Sequence, residues 1–285
     1  MKVREALTQT QDQLGRKTGT EARLEAELLL RHHLGADRTR FYLSFDSELM
    51  AEDTAPLNVL VSRRLRGEPL AYILGHKEFY GLDLLVGPGV LIPRPETELL
   101  VERALSFIKA RFGFLTQPVT VADVGTGSGA VAVALATHLP HATIIATDVS
   151  ARCLAMARQN AQRHQVYERI HLVQGDLLHP LGVSFDLIVG NLPYIRDNEW
   201  PHLADEIRLY EPPKALLGGA DGLALIRGLL PQAAERLNPK GALLLEIGAD
   251  QGPALQTLAG QLFPQAMVTV SQDWAGLDRV VGIET

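Results

Sequence analysis

Two short stretches carry side chains whose chemistry is more specific than that of their surroundings. In GNLPYI, Gly190–Ile195, an asparagine, a proline and a tyrosine follow an apolar run, where an ordinary loop would use glycine, serine or aspartate. The side-chain oxygen of Asn191 and the main-chain carbonyl of Leu192 form a pair of hydrogen-bond acceptors. Such a pair can hold both N–H groups of a planar nitrogen, as in an adenine amino group or a carboxamide, and orient it for attack. Pro193 fixes its own φ and biases Leu192 away from helical geometry, while the Tyr194 ring can stack on a flat group or approach a cation. The bland use of Asn191 and Pro193 is simply to end a strand. In the second stretch, VADVGTGSGA, Gly125, Gly127 and Gly129 follow an apolar strand and precede a helix over Val131 to Thr137. The turn Gly125, Thr126, Gly127, Ser128, Gly129 is expected to bring backbone amides close to a ligand at the helix N-terminus.

The glycine turn alone does not choose its ligand. Gly125, Gly127 and Ala130 satisfy the G-x-G-x-x-A form of a dinucleotide fingerprint, with Asp148 about 20 residues on. A carboxylate at that strand tip can accept both hydrogen bonds of a ribose diol; otherwise it would cap a helix, a job for which Ser150 competes. Asp123 tips the choice. It would repel a pyrophosphate but attract the ammonium or sulfonium charge of S-adenosylmethionine. No lysine follows the glycines to reach a phosphate, and Ser128 lies outside a G-x-S-x-G frame. In GDLL, Asp176 is placed to accept from an adenine amino group and Leu177 to pack on the ring, although Asp176 also suits a plain turn.

These tips need a sheet that brings them to one edge. Apolar strands over 119–124, 143–147, 170–173, 185–189 and 242–246 alternate with helical stretches, the pattern of an α/β doubly wound parallel sheet of Rossmann-like form. Two last strands, 267–270 and 278–283, leave no room for a crossover helix and predict a C-terminal antiparallel hairpin. Upstream, apolar residues recur at helical spacing, as in Leu24 with Leu28 and Leu30 with Leu34, and Gly35 is placed as a stop. The expected organisation is a small N-terminal helical bundle over 1–75 that recognises the substrate, a β-hairpin linker around Gly81 over 76–92, and a catalytic domain over 93–285.

Composition narrows the function further. The chain has 285 residues, 46% of them hydrophobic, a formal net charge of -6 and one cysteine, Cys153. That charge argues against bulk electrostatic binding of nucleic acid, although Arg63, Arg64 and Arg66 could form a local basic patch. No metal-ligand spacing is present and no internal disulfide is possible; His32 and His33 are expected on a helix surface. Without an apolar leader or a long apolar run, the expected location is cytoplasmic.

GTGSG followed by NLPY resembles the class I S-adenosylmethionine-dependent N-methyltransferases, whose usual second motif is N-P-P-Y. Leu192 departs from that form, and NLPY is also similar to the version in ribosomal RNA adenine dimethyltransferases. A more specific segment lies upstream: PLAYILGHKEFYGLDLLVGPGVLIPRPETELL, Pro69–Leu100, resembles the protein glutamine N5-methyltransferases of the PrmC/HemK group, with PRPETE, Pro93–Glu98, its most specific part. YEPPKALLGGADGL, Tyr210–Leu223, and EIGADQG, Glu246–Gly252, extend the resemblance over essentially the whole chain. It implies methyl transfer from S-adenosylmethionine to the glutamine of the Gly-Gly-Gln loop of class 1 peptide chain release factors, with no metal, membrane or direct nucleic-acid partner. Asn191, Leu192, Pro193 and Tyr194 would hold the substrate amide. Gly125–Gly129, Asp148, Asp176, Leu177 and Asn191 would hold the cofactor. Thr97 and Glu98 are expected to help close its pocket. Two rivals are a ribosomal RNA adenine N6-methyltransferase, which would need a basic surface, and a nicotinamide-dependent oxidoreductase, which gives NLPY no work.

Overall fold

The spacing of apolar residues in the first 75 positions folds into five helices: α1 (Val3–Thr18), α2 (Ala22–Leu34), α3 (Arg38–Leu43), α4 (Ala51–Leu65) and α5 (Leu70–Leu74). The computed structural model describes residues 1–113 and 118–285. Gly35 ends α2 with φ 58°, the left-handed cap expected there, and the Asp37 side chain caps α3 by accepting from Arg40 N. Leu7, Leu14, Leu29, Leu30 and Phe41 fill the core between the helices. The period expected for α2 is present, but its phase differs. Leu24 is 58% exposed, and the buried face runs through Ala22, Glu25, Ala26, Leu29 and Leu30. A carboxylate occupies that face because Arg64 meets Glu25 through Nε and Nη2, both at 2.8 Å, a bidentate pair. Arg64 Nη1 also reaches Glu206 at 2.8 Å, and Arg63 forks onto Glu68. Arg63 and Arg64, two of the three arginines that could form a local basic patch, are therefore paired with carboxylates.

His76 begins the second compact unit, His76–Ala204 with Glu211–Thr285. The expected hairpin pairs β1 (His76–Phe79) with β2 (Leu82–Leu85), and both turn residues, Tyr80 and Gly81, have positive φ, 51° and 72°. Then follow α6 (Glu98–Phe112), β3 (Val119–Val124), α7 (Ala130–His138), β4 (Ala142–Asp148), α8 (Ala151–Arg163), β5 (Ile170–Gln174) and β6 (Phe185–Gly190). α9 (Asp205–Tyr210) clusters with Met1–Gly75. The chain closes with α10 (Ala224–Arg236), β7 (Leu237–Glu246), α11 (Gly252–Leu262), β8 (Met267–Gln272) and β9 (Asp278–Glu284).

The seven strands lie in the order β5-β4-β3-β6-β7-β9-β8, parallel except that β9 runs antiparallel to both β7 and β8. The doubly wound sheet and its terminal hairpin are as expected. Small and branched residues make α7, AVAVALATH, buried almost throughout, which lets it press closely on the sheet. The chain winds outward from β3 to β5 and returns to β6 on the other side of β3. Between β3 and β6 lies the switch point where loops at the carboxyl ends part and leave a crevice.

Candidate active site

The turn after β3 has its glycines at φ 73°, 57° and 81°, a conformation that other residues rarely adopt. Close packing gives a second reason for two of them. A Cβ on Gly125 would lie 2.9 Å from Leu192 Cδ2, and one on Gly129 2.9 Å from Ala157 Cβ on α8. The amides expected to face a ligand are largely spent within the fold. Gly125 N and Thr126 N both donate to Thr147 O at 2.9 Å, Gly129 N donates to Thr126 O, and Gly127 N donates to Asp148 Oδ2 at 2.9 Å. The glycines thus supply closeness more than free donors. Asn160, fully buried on α8, ties the turn to the hairpin: its Nδ2 donates to Ser128 O at 2.8 Å and to Leu85 O at 3.0 Å.

Asp123 is buried, and its Oδ2 accepts from the Thr126 hydroxyl at 2.6 Å and from Ala132 N at 3.1 Å. Burial pushes its carboxyl up to about 6, against the pull of those hydrogen bonds. That oxygen braces the turn, where a charge aimed at a cation was expected. Asp148, at the end of β4, bonds Gly127 N and, through Oδ1, Ser150 N at 2.8 Å. Ser150 caps α8 by accepting from Cys153 N, so Asp148 is not needed as a cap. Carboxylate oxygens accept more than one bond, and Asp148 keeps that capacity while lining the cleft. Beyond β5, Leu177 has φ 49° and a buried side chain, whereas Asp176 is exposed; both line the cleft.

On the other side of β3, Asn191 Nδ2 donates to the buried Thr97 hydroxyl at 3.0 Å, which leaves Oδ1 as the acceptor of that amide. Leu192 is 3% exposed, part of the apolar core under Gly125. Leucine at this position thus has a packing role beyond its carbonyl. Asn191, Leu192 and Pro193 line the cleft. Tyr194 is not among its lining residues: the hydroxyl donates to Glu246 Oε1 at 3.3 Å, and burial together with the Glu246 charge pushes the phenol upward. Thr97 lines the cleft as expected, but Glu98 does not. Its carboxylate accepts from Tyr80 N at 2.9 Å and secures the hairpin turn instead.

The NLPY loop rests on a second loop that sequence reasoning gave no separate role. Ile195 N donates to Leu216 O at 2.9 Å, Gly218 N to Ile195 O at 2.8 Å and Asp197 N to Gly219 O at 3.1 Å. A Cβ on Gly218 would collide with Pro193 O, and one on Gly222 with Tyr194 O. Gln251 Nε2 donates to Tyr194 O at 3.0 Å and completes the clamp. PRPETE is secured in the same way: buried Glu211 accepts from Ile92 N at 3.2 Å and pairs with Arg94. The clustered Gly218, Gly219 and Gly222, and a glutamate before paired prolines, were the signals available in the sequence. Together these elements enclose a cleft of about 290 Å³ that also takes in Leu91, Val131, Thr147, Val149, Ser150 and Leu225.

Comparison with known proteins gives the family of the chain. Residues 5–75 match the model of the PrmC N-terminal domain and residues 121–210 that of a methyltransferase domain. The chain is 44% identical over 283 residues to the release factor glutamine methyltransferase of Geobacter sulfurreducens, covering 98% of this chain and 95% of that protein. It is 41% identical over 280 residues to that of Moorella thermoacetica, covering 98% and 97%. The chain belongs to the release factor glutamine methyltransferases. A methyltransferase from Pyrococcus furiosus, 20% identical, shares the fold of this family member with a TM-score of 0.52 over 81% of this chain and 97% of that one. The cofactor of this release factor glutamine methyltransferase is S-adenosylmethionine, and the cleft fits it. It joins a close-packed glycine turn, apolar walls at Leu91, Val131, Val149 and Leu177, and the carboxylates of Asp148 and Asp176. Within it Thr147 Oγ1 is buried with no hydrogen-bond partner among the described residues.

Proposed function

We propose that this chain methylates the side-chain nitrogen, N5, of the glutamine in the Gly-Gly-Gln loop of class 1 release factors. The observation that carries this reading is Asn191: with its Nδ2 committed to Thr97, its Oδ1 is the acceptor available to a substrate N–H. Asn191 Oδ1 and the Leu192 carbonyl hold the two amide protons, and Pro193 stiffens the backbone between them. Tyr194, outside the cofactor cleft itself, offers its ring as the flat wall of the substrate side. Gly125, Thr126, Gly127, Ser128 and Gly129 cradle the methionine part of the cofactor, Asp148 takes the ribose hydroxyls, and Asp176 with Leu177 takes the adenine. S-adenosylmethionine, when bound, supplies a methyl group already activated by the sulfonium charge. The chain then needs only to orient the nitrogen, since an alkylated amide that carries an extra proton loses it to water without a strong base. The helical segment 1–75 recognises the protein substrate, with 76–92 as a linker to the catalytic segment 93–285, and the reaction is cytoplasmic.

No direct nucleic-acid contact is part of this reading. Supporting it against ribosomal RNA as substrate are the net charge of -6, the ion-paired Arg63 and Arg64, and the names of the relatives. The test is mass spectrometry of a purified release factor after incubation with the chain and S-adenosylmethionine. One methyl should appear on the Gly-Gly-Gln peptide. Asn191→Ala should lose most of that transfer, because leaving an amide N–H without its acceptor costs about 1 to 3 kcal/mol before any loss of orientation. Near wild-type turnover in that variant would sink the assignment.

A further inference from the structure

We infer that Asn160 is a positioning residue for S-adenosylmethionine: its buried side-chain amide aims the one backbone N–H of the glycine turn that the fold leaves for a ligand. The inference rests on the reading that Gly125–Gly129 cradle the cofactor. Four of the five amides in that turn are spent at home, on Thr147 O, Asp148 Oδ2 and Thr126 O. Ser128 N is the exception. It meets no acceptor among the described residues, and Ser128 lines the cleft while only 3% exposed. A backbone donor shut away from water to that degree calls for a partner.

Asn160 fixes the chain on one side of that donor. The Ser128 N–H sits between two pinned atoms: Gly127 N before it, on Asp148, and Ser128 O after it, on Asn160 Nδ2 at 2.8 Å. With both held, the backbone around Ser128 cannot swing, and the direction of its N–H is set. Asn160 itself is fully buried and cannot turn over. Its second amide hydrogen goes to Leu85 O at 3.0 Å and its Oδ1 accepts from Leu85 N at 2.7 Å, so a flip would break three bonds at once.

The hold on Leu85 is part of a matched series. Side chains four apart share one face of a helix, and that face of α8 runs along the extended segment from Asp83 to Gly89. His164, just past the helix, donates from Nε2 to Asp83 O at 3.0 Å, and Asn160 takes Leu85. Met156 Cε stands 3.6 Å from where a Cβ on Gly87 would be, and Arg152 Nη1 donates to Pro88 O at 2.9 Å. The same segment runs on through Gly89, Leu91, Pro93 and Arg94, which line the cleft. One side chain thus holds the glycine turn and the strand that leads into another wall of the cleft.

The test separates aim from stability. When S-adenosylmethionine is added to the wild-type chain labelled with nitrogen-15, the Ser128 amide proton should shift more than any other in Gly125–Gly129. Asn160→Asp, nearly isosteric, keeps the acceptor for Leu85 N and loses both donors. Its Kd for S-adenosylmethionine by calorimetry, and KM in methylation of a release factor, should rise about tenfold or more, with kcat at saturating cofactor within about twofold. Asn160→Ser, smaller and uncharged, carries the same comparison if the aspartate variant does not fold. Met156→Ala, on the same face of α8, removes packing but leaves the bond to Ser128 O; it should lower the urea midpoint and change Kd less than about twofold. The inference is overturned if another amide of the turn shifts more than Ser128, if a folded Asn160 variant keeps the wild-type Kd, or if Met156→Ala weakens binding as much. A wild-type chain that binds S-adenosylmethionine without moving any of the five amides would overturn the cradle itself, and the inference with it.

Discussion

The two loops that line the cleft are held by different means. The glycine turn is secured by its immediate neighbours in the sheet and first helices: Thr147 O, Asp148, Asp123 and, from α8, Ala157 and Asn160. The NLPY loop is held from far along the chain, by Leu216, Gly218, Gly222, Glu246 and Gln251 on one flank and by Thr97 on the other. One loop is a local solution to a backbone problem. The other is a side-chain and backbone mosaic whose pieces lie far apart in the sequence, and it is the one that carries Asn191.

If the two supports are separate, each should be breakable without the other. Gly222→Ala would drive a methyl group into Tyr194 O at a residue whose φ is 76°, so it should have the largest effect. Turnover should fall on the order of 100-fold, and urea unfolding should show a loss of about 3 to 5 kcal/mol, with S-adenosylmethionine affinity by calorimetry much less affected. Gly129→Ala is the mirror experiment. Pressed against Ala157 Cβ and Cα with φ 81°, it should cost about 2 to 4 kcal/mol and weaken S-adenosylmethionine binding first. Equal losses of binding and turnover in both variants would erase the distinction between the loops.

A pH series probes the glycine side alone. Asp123 ionises at about 6 in the folded chain, above the unfolded value. Between about 4 and 6 the unfolded chain releases this proton first, so the Asp123 contribution makes stability fall as pH rises through that window, by up to about 3 kcal/mol. Asp123→Asn should flatten that part of the slope in urea unfolding. The smallest effect is expected where the loops touch. Leu192→Pro keeps the carbonyl but loses the packing on Gly125, so stability should drop by about 1 to 2 kcal/mol while turnover stays within about threefold.

What could be read from the sequence follows the same divide. Gly125, Gly127 and Gly129, the hairpin at Gly81 and the strands from Val119 onward were legible because each follows from a short-range rule: positive φ, a tight turn, an apolar run of strand length. Asn191 and Pro193 were legible because their types are unusual for a strand end. Tyr194 was legible through its ring chemistry, but the partner of its hydroxyl, Glu246, stands 52 residues later and no local pattern names it. Leu24 recurs with Leu28 at helical spacing, yet it is exposed, and the buried face includes Glu25 because Arg64, 39 residues later, supplies its counter-charge. Glu98, Gly218, Gly222 and Gln251 likewise answer to partners that no local pattern names.

The hydrogen bonds that Gly125, Thr126 and Gly127 make to the end of β4 also bear on how fast and how cheaply the cleft fills. A turn that has already spent its donors on Thr147 and Asp148 is shaped before anything arrives. Ligand capture at that side therefore pays little ordering entropy, and its association rate should be governed by diffusion into the cleft and not by a folding step.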